Sequence, residues 1–172
     1  MVLRLLAGLT LLFQLTSPRN VSAQSRSIEG TYRNPALGYS ISIPQGLKAV
    51  TEDRAGPERG VRISLPSGGE ITVFGEPNSL EWKSPEEGVK SELAHSDCGS
   101  GNQEIKRGVV GKLKGARGKL VCSDHVVSLF LAFRKKGGPI YWLRLETVQA
   151  HESEDEAVLE AVAANLRLIP WK

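Results

Sequence analysis

The stretch NPALGYSISIP, residues 34–44, shows how this chain folds. Tyr39, Ile41 and Ile43 alternate with two serines, and Pro44 ends the run. Strict alternation of apolar and polar side chains is typical of a β-strand with one buried face, because successive side chains point to opposite sides. The stretch therefore predicts a strand of an antiparallel sheet with one dry face.

The same pattern recurs further along the chain. Residues 61–65 alternate in the same way, the turn-forming sequence PSGG follows at 66–69, and the apolar residues of 71–74 return. We expect 126–134 and 140–148 to pair as a hairpin around the glycines of 135–138. We interpret 108–122 as one strand punctuated by glycines.

Two helices are predicted from capping signals. Ser84 can cap a first helix, with Pro85 at its first position and Glu87 completing a capping box. We expect Ser153 to cap the last helix in the same way, with Arg167 near its C-terminal end, where a cation is favoured. One apolar stripe of this helix should pack on the sheet; it comprises Val158, Leu159, Val162 and Leu166.

Strands, a capped helix, more strands and a final amphipathic helix predict an α+β sandwich, in which an antiparallel sheet is flanked by helices. Residues 34–44, the small-residue step 115–117 and the closing segment 166–170 resemble the PsbP-like sandwich domains. That group includes the extrinsic subunit of the plant oxygen-evolving complex, a small Ran-binding protein and many exported bacterial domains. The resemblance implies a fold and supplies no catalytic residues.

The first 23 residues differ from the rest of the chain. They carry Arg4, an apolar run of about 11 residues and a small residue, Ala23, which is the pattern of a secretory signal peptide; a membrane span needs roughly 20 apolar residues. We therefore expect cleavage near Ala23, a single domain at 24–172, and a secreted or periplasmic protein without stable membrane insertion. Loss of two arginines with this segment leaves 20 basic residues against 19 acidic ones. The mature chain is therefore almost neutral, which makes a polyanion a less favoured partner.

The chain has two cysteines, in the mirrored sequences HSDC (95–98) and CSDH (122–125). In an oxidising compartment we expect Cys98 and Cys122 to form a disulfide. Two alternatives remain open. His95, Cys98, Cys122 and His125 have the side chains of a zinc site, and Asp124 with His125, beside Ser123, could serve a hydrolase. Both require convergence of side chains that a strand would point in different directions.

The predicted partner surface is the basic stretch 106–119 together with Trp142. The basic stretch contains no acid and comprises Lys106, Arg107, Lys112, Lys114, Arg117 and Lys119. Such a surface favours an acidic protein and, less strongly, another polyanion. Trp142 lies near Arg144 on the opposite strand face from Tyr141, and a partly exposed indole beside an arginine is a common binding anchor.

The sequence contains no catalytic motif of the types HExxH, GxSxG or GxxxxGK[ST]. We therefore expect an exported, non-enzymatic binding or accessory domain, with an unidentified protein partner, no cofactor and no nucleic-acid partner.

Overall fold

Strands dominate the computed structural model, which describes residues 26–52, 60–96, 98, 101–135 and 138–170. The predicted signal peptide lies outside these residues. The strands are β1 Ser27–Ile28, β2 Thr31–Asn34, β3 Tyr39–Ser42, β4 Lys48–Glu52, β5 Gly60–Ser64, β6 Glu70–Glu76, β7 Asn102–Val110, β8 Leu113–Val121, β9 Val126–Phe133, β10 Ile140–Thr147 and β11 Arg167–Leu168. The helices are α1 Pro85–Ala94 and α2 Glu152–Ala164, and a 3-10 turn at Gln149–His151 precedes α2.

Eight strands form one antiparallel sheet in the order β1-β4-β5-β6-β10-β9-β8-β7. A second sheet has the order β11-β3-β2. The predicted hairpin of β9 and β10 is confirmed, with Leu143 opposite Phe130. The tip of its turn, residues 136 and 137, lies outside the described residues.

The large sheet has apolar cores on both faces. On one face, α2 and the small sheet cover a cluster that includes Tyr39, Ile63 and Leu143. On the other, α1 covers a smaller cluster that includes Val89 and Leu131. The architecture is therefore α+β, with an antiparallel sheet between helices and a C-terminal helix packed on it, as predicted. No helix within the described ranges is long and apolar enough to cross a bilayer.

Helix α1 begins as the sequence predicts. The Ser84 hydroxyl accepts a hydrogen bond from the Glu87 backbone N–H at 3.2 Å, and Pro85 occupies the first turn. The Glu87 carboxylate accepts from the Lys83 backbone N–H at 2.8 Å. Gly88, which lowers helix propensity, allows close packing, because a Cβ there would lie 2.8 Å from the Trp82 ring.

The predicted cap of α2 is wrong. Helix α2 already begins at Glu152, His151 is the N-cap residue, and no side chain caps it, so Ser153 lies inside the first turn. The 3-10 turn shifts the helix start, and of the acids in the first turn Asp155 is buried whereas Glu154 is exposed. The predicted position of Arg167 is confirmed, since its guanidinium donates to the Ala164 carbonyl at 2.7 Å.

The interpretation of 108–122 as one strand is also wrong. The chain turns at residues 111 and 112, and β7 and β8 form a hairpin with Gly108 opposite Gly115. Gly111 has a φ of +59°, and its backbone N–H donates to the Ala163 carbonyl of α2 at 2.7 Å. A side chain at this position would be strained and would meet the Leu166 carbonyl, which explains the glycine.

Candidate interaction surface

Helix α1 covers only part of its face of the large sheet. It packs against β7, β8 and β9. Within the described part of the chain, the main contacts of α1 do not extend over the same face of β5, β6 and the middle of β10. This region forms a groove of about 330 Å³. We call it the aromatic groove; its lining comprises Arg62, Glu70, Thr72, Phe74, Trp142, Arg144 and Glu146.

Two aromatic rings form the floor of the aromatic groove. Phe74 and Trp142 lie opposite each other on β6 and β10, and their ring centroids are 3.5 Å apart at an angle of 47°. The Trp142 indole N–H donates to Glu76 Oε1 at 3.3 Å. The indole is partly exposed, so its polar edge is fixed while part of the ring remains accessible.

Two ion pairs lie beside these rings, in the next rows of the strand register. Arg62 Nε lies 3.3 Å from Glu70 Oε1, and Arg144 Nη2 lies 2.6 Å from Glu146 Oε1. Thr72 lies between the arginines in the strand register. The Glu70 and Glu146 side chains are 43% and 54% exposed, so these carboxylates can exchange their intramolecular arginine for a cation on another molecule at small cost.

Helix α1 contributes a perturbed carboxyl near the aromatic groove. Burial raises the pKa of Glu92 above its ordinary value of 4.5, and the negative charge of Glu76 raises it further. The positive charge of Arg144 opposes this shift. Glu92 and Glu76 therefore place two neighbouring carboxyl groups at the α1 side of the aromatic groove.

The six cations of the basic stretch do not form one surface. Arg117 and Lys119 face α2, where their side chains are 16% and 23% exposed and pair with its glutamates. Lys106 lies 3.4 Å from Glu104 on the same strand. The acids that neutralise Arg117 and Lys119 lie more than 30 residues later in the sequence, which is why the local pattern overstates the free charge.

Glu156 is the centre of this ion-pair network under α2. It accepts from the Ser128 hydroxyl at 2.6 Å, from Arg117 Nη2 at 3.0 Å and from Lys119 Nζ at 3.0 Å. Burial opposes its charge, but these three donors hold the pKa of Glu156 below its ordinary 4.5. Burial likewise opposes the charge of Lys119, but its hydrogen bonds to Glu152 and Glu156 keep its pKa raised.

Replacing Glu156 by glutamine should lower the free energy of unfolding by about 1–2 kcal/mol, because two cations lose a partly buried partner. A carboxyl group whose pKa is lowered by folding stabilises the folded state at pH values above its unfolded-state pKa. This contribution to stability is lost as the pH falls through the folded-state pKa. Denaturant titrations should therefore show a smaller loss of stability between about pH 5 and pH 3 in Glu156→Gln than in the wild type.

Glu160→Gln is the matched control for this variant. Glu160 also pairs with Arg117, but its side chain is 55% exposed, so we expect a change of about 0.5 kcal/mol or less. Equal effects of the two substitutions would contradict the assignment of Glu156 as the centre of the network.

The cysteine prediction is confirmed. Cys98 and Cys122 form a disulfide with their Cα atoms 5.2 Å apart, which joins the segment after α1 to the end of β8. The two sulfur atoms are bonded to each other, so neither cysteine provides the thiolate ligand that the zinc alternative requires. The ring Nδ1 of His95 hydrogen-bonds the Ser91 carbonyl, and that of His125 hydrogen-bonds Asp124. The metal alternative is therefore not favoured.

The hydrolase alternative is not favoured either. Asp124 Oδ1 lies 2.8 Å from His125 Nδ1, and this hydrogen bond lowers the pKa of Asp124. The pair borders a shallow depression that also contains Ser67. The Ser67 hydroxyl, however, donates to Asp155 at 2.8 Å, and the Ser123 hydroxyl bonds Asp124. Neither serine is placed as a nucleophile activated by the imidazole.

Sequence reasoning placed Trp142 beside Arg144 but missed the residues that β5 and β6 contribute to the aromatic groove. Strands β5 and β6 alternate fully buried residues, which the sequence pattern recognised, with half-buried ones. The half-buried residues that line the aromatic groove include Arg62, Thr72 and Phe74. The alternation itself is the signal that could have found them, because it assigns these side chains to the face opposite Ile63 and Ile71. Only the register of β5, β6 and β10 brings them together.

Comparisons with known proteins support the fold. The solution structure of cyanobacterial PsbP (CyanoP) from Synechocystis sp. PCC 6803 is similar, with a TM-score of 0.53 and 12% identity over 90% of this chain and 98% of that chain. A crystal structure from Bacteroides thetaiotaomicron VPI-5482 gives a TM-score of 0.47 and 14% identity over 81% of this chain and 48% of that chain, too low to support an argument. No family model and no curated protein matches the chain. The chain thus has a PsbP-like fold, and identity at this level bears on the fold alone.

Proposed function

We propose that this chain is an exported, non-enzymatic accessory domain that binds a protein partner through the aromatic groove. One observation carries the proposal: Phe74 and Trp142 form an accessible aromatic floor beside Arg62 and Arg144, on the part of the sheet where α1 makes few contacts. Tryptophan and arginine are the residue types that dominate binding energy at protein interfaces.

The charge pattern of the aromatic groove favours a protein segment over a small apolar ligand. Four of the seven lining residues are charged and form two ion pairs beside the rings. A small-molecule pocket is usually mostly apolar with a few polar groups. An amphipathic segment can place an apolar side chain on the rings and polar groups against the ion pairs, as in an interface with an apolar centre and a polar rim.

Export is supported by two independent features. The first 23 residues have the organisation of a signal peptide. The Cys98–Cys122 disulfide is of a kind that persists in oxidising compartments and is rare in the cytosol. We propose a periplasmic or secreted location on these grounds.

Site-specific photo-cross-linking tests the partner site. A photoreactive amino acid in place of Thr72, inside the aromatic groove, should give a discrete adduct with one protein in the cells that make this chain. The same group in place of Glu154, on the exposed side of α2, is the control and should not give that adduct. Adducts of equal yield at both positions would contradict the proposal.

Once the adduct identifies the partner, affinity can be measured directly. Trp142→Ala should weaken binding about 30-fold, the equivalent of about 2 kcal/mol at an interface anchor. Because Trp142 also packs on Phe74, the second variant is Thr72→Arg, which fills the aromatic groove and keeps both rings. Unchanged affinity in both variants would show that the partner binds elsewhere.

A further inference from the structure

Strand β7 is a long, open edge of the large sheet. It has nine residues and pairs only with β8, whereas the opposite edge strand, β1, has two residues. Within the described residues, no strand pairs with the outer side of β7. Every second residue of such a strand directs its backbone N–H and C=O away from the sheet, where another chain can bind them.

The side chains of β7 are accessible as well. Six of its nine residues are exposed, and Val109 is 60% exposed. In the register of the hairpin, Val109 lies opposite Lys114, so both side chains are on the same face of the sheet as Arg107. This edge therefore combines an open backbone, one exposed apolar side chain and two neighbouring cations.

The charge of the edge is strongly one-sided. Four cations, Lys106, Arg107, Lys112 and Lys114, accompany one acid, Glu104, between residues 102 and 114. Lys106 has an exposed contact with Glu104 at 3.4 Å. Within the described ranges, Arg107, Lys112 and Lys114 have no ion pair. In contrast to Arg117 and Lys119, these three cations are therefore available to carboxylates of an external partner.

We propose that the β7 edge binds an extended acidic segment of another protein by strand addition. Backbone hydrogen bonds to the open edge would supply affinity. Carboxylates opposite Arg107, on the face that also carries Lys114 one strand further in, would supply selectivity. A second copy of this chain does not fit as the occupant. Antiparallel self-pairing about the middle of β7 places Lys106 opposite Lys106, and like charges directly opposite each other are destabilising.

This site is separate from the aromatic groove. Two strands, β9 and β8, lie between β10 and β7, so the edge is about 14 Å from β10 at the usual strand spacing. The inference therefore does not depend on the proposed function, and each can fail alone.

The test uses the oxidised mature chain and a fluorescent peptide of alternating valine and glutamate, nine residues long like β7. We expect saturable binding that is about tenfold or more tighter than that of the valine–lysine counterpart. We also expect alternate amides of β7 to gain protection from hydrogen exchange. N-methylation of alternate peptide amides on one edge, and not on the other, should abolish binding, because only one edge of a strand pairs with β7.

The double variant Arg107→Glu, Lys114→Glu should weaken the acidic peptide about tenfold or more and favour the lysine peptide. Thr72→Arg, in the aromatic groove, is the matched control and should leave binding unchanged. Three results would overturn the inference: no binding of the acidic peptide, equal binding of the two peptides, or binding without amide protection that inorganic polyphosphate abolishes. The last result would show a general polyanion surface.

Discussion

Replacing Cys98 and Cys122 together by serine is expected to lower the free energy of unfolding by about 3.5 kcal/mol. The disulfide links positions separated by 24 residues, and the estimate is the chain entropy that such a closed loop removes from the unfolded state. Because Cys98 follows α1, the loss should also loosen that helix. Denaturant titration gives the stability change, and hydrogen exchange of residues 85–94 reports on the helix.

Chemical reduction provides the control for this prediction. Wild-type protein treated with a reductant should unfold at the same denaturant concentration as the double serine variant, because both lack only the cross-link. The oxidised wild type in the same buffer is the reference. A double variant within about 1 kcal/mol of that reference would show that the disulfide is not a main stabilising element.

Replacing Asp155 by alanine is expected to destabilise the fold by about 3 kcal/mol. Asp155 is 2% exposed and accepts hydrogen bonds from the Ser67 hydroxyl and from the Thr147 hydroxyl. The carboxylate thus ties the first turn of α2 to the β5–β6 turn and to the end of β10. Alanine would leave two hydroxyls without their acceptor in a partly buried site, which costs more than the loss of an exposed contact.

Glu154→Gln is the matched control for Asp155→Ala. Glu154 precedes Asp155 in the same turn of α2 but is exposed, and we expect a change of about 0.5 kcal/mol or less. Thermal or denaturant unfolding measures both variants. If both lost equally little stability, the buried position of Asp155 would not have the structural role assigned to it.

The sequence predicted those parts of the fold that local patterns determine. Alternation located the strands at 39–43, 61–65 and 140–148, and the Ser84 cap located α1, because these signals depend on neighbouring residues. The β7–β8 hairpin was missed because several glycines punctuate this stretch, and nothing local shows that only Gly111 occupies the turn. Its turn depends on a contact with Ala163, about 50 residues away.

The acids at the start of α2 illustrate the same limit. In sequence, Asp155 and Glu156 match a first turn that complements the helix dipole. In the fold, they are acceptors for Ser67, Thr147, Ser128, Arg117 and Lys119. These partners come from separate strands and turns, so the local sequence contains no signal for them.

The candidate site divides in the same way. Trp142 could be identified by residue type and strand face, but its partnership with Phe74 required the β6–β10 register. The basic stretch could be identified by composition, but the division of its cations required the position of α2. A single sequence therefore does not predict which side chains contact each other across strands or layers.

The central claim is that this domain acts outside the cytosol as an oxidised binding module. The most direct test is the intact mass of the protein isolated from the cells that make it, with and without thiol alkylation. We predict a chain that lacks the first 23 residues, is two hydrogens lighter than its reduced form and takes up no alkylating agent before reduction. An uncleaved chain with two alkylatable cysteines would contradict the account.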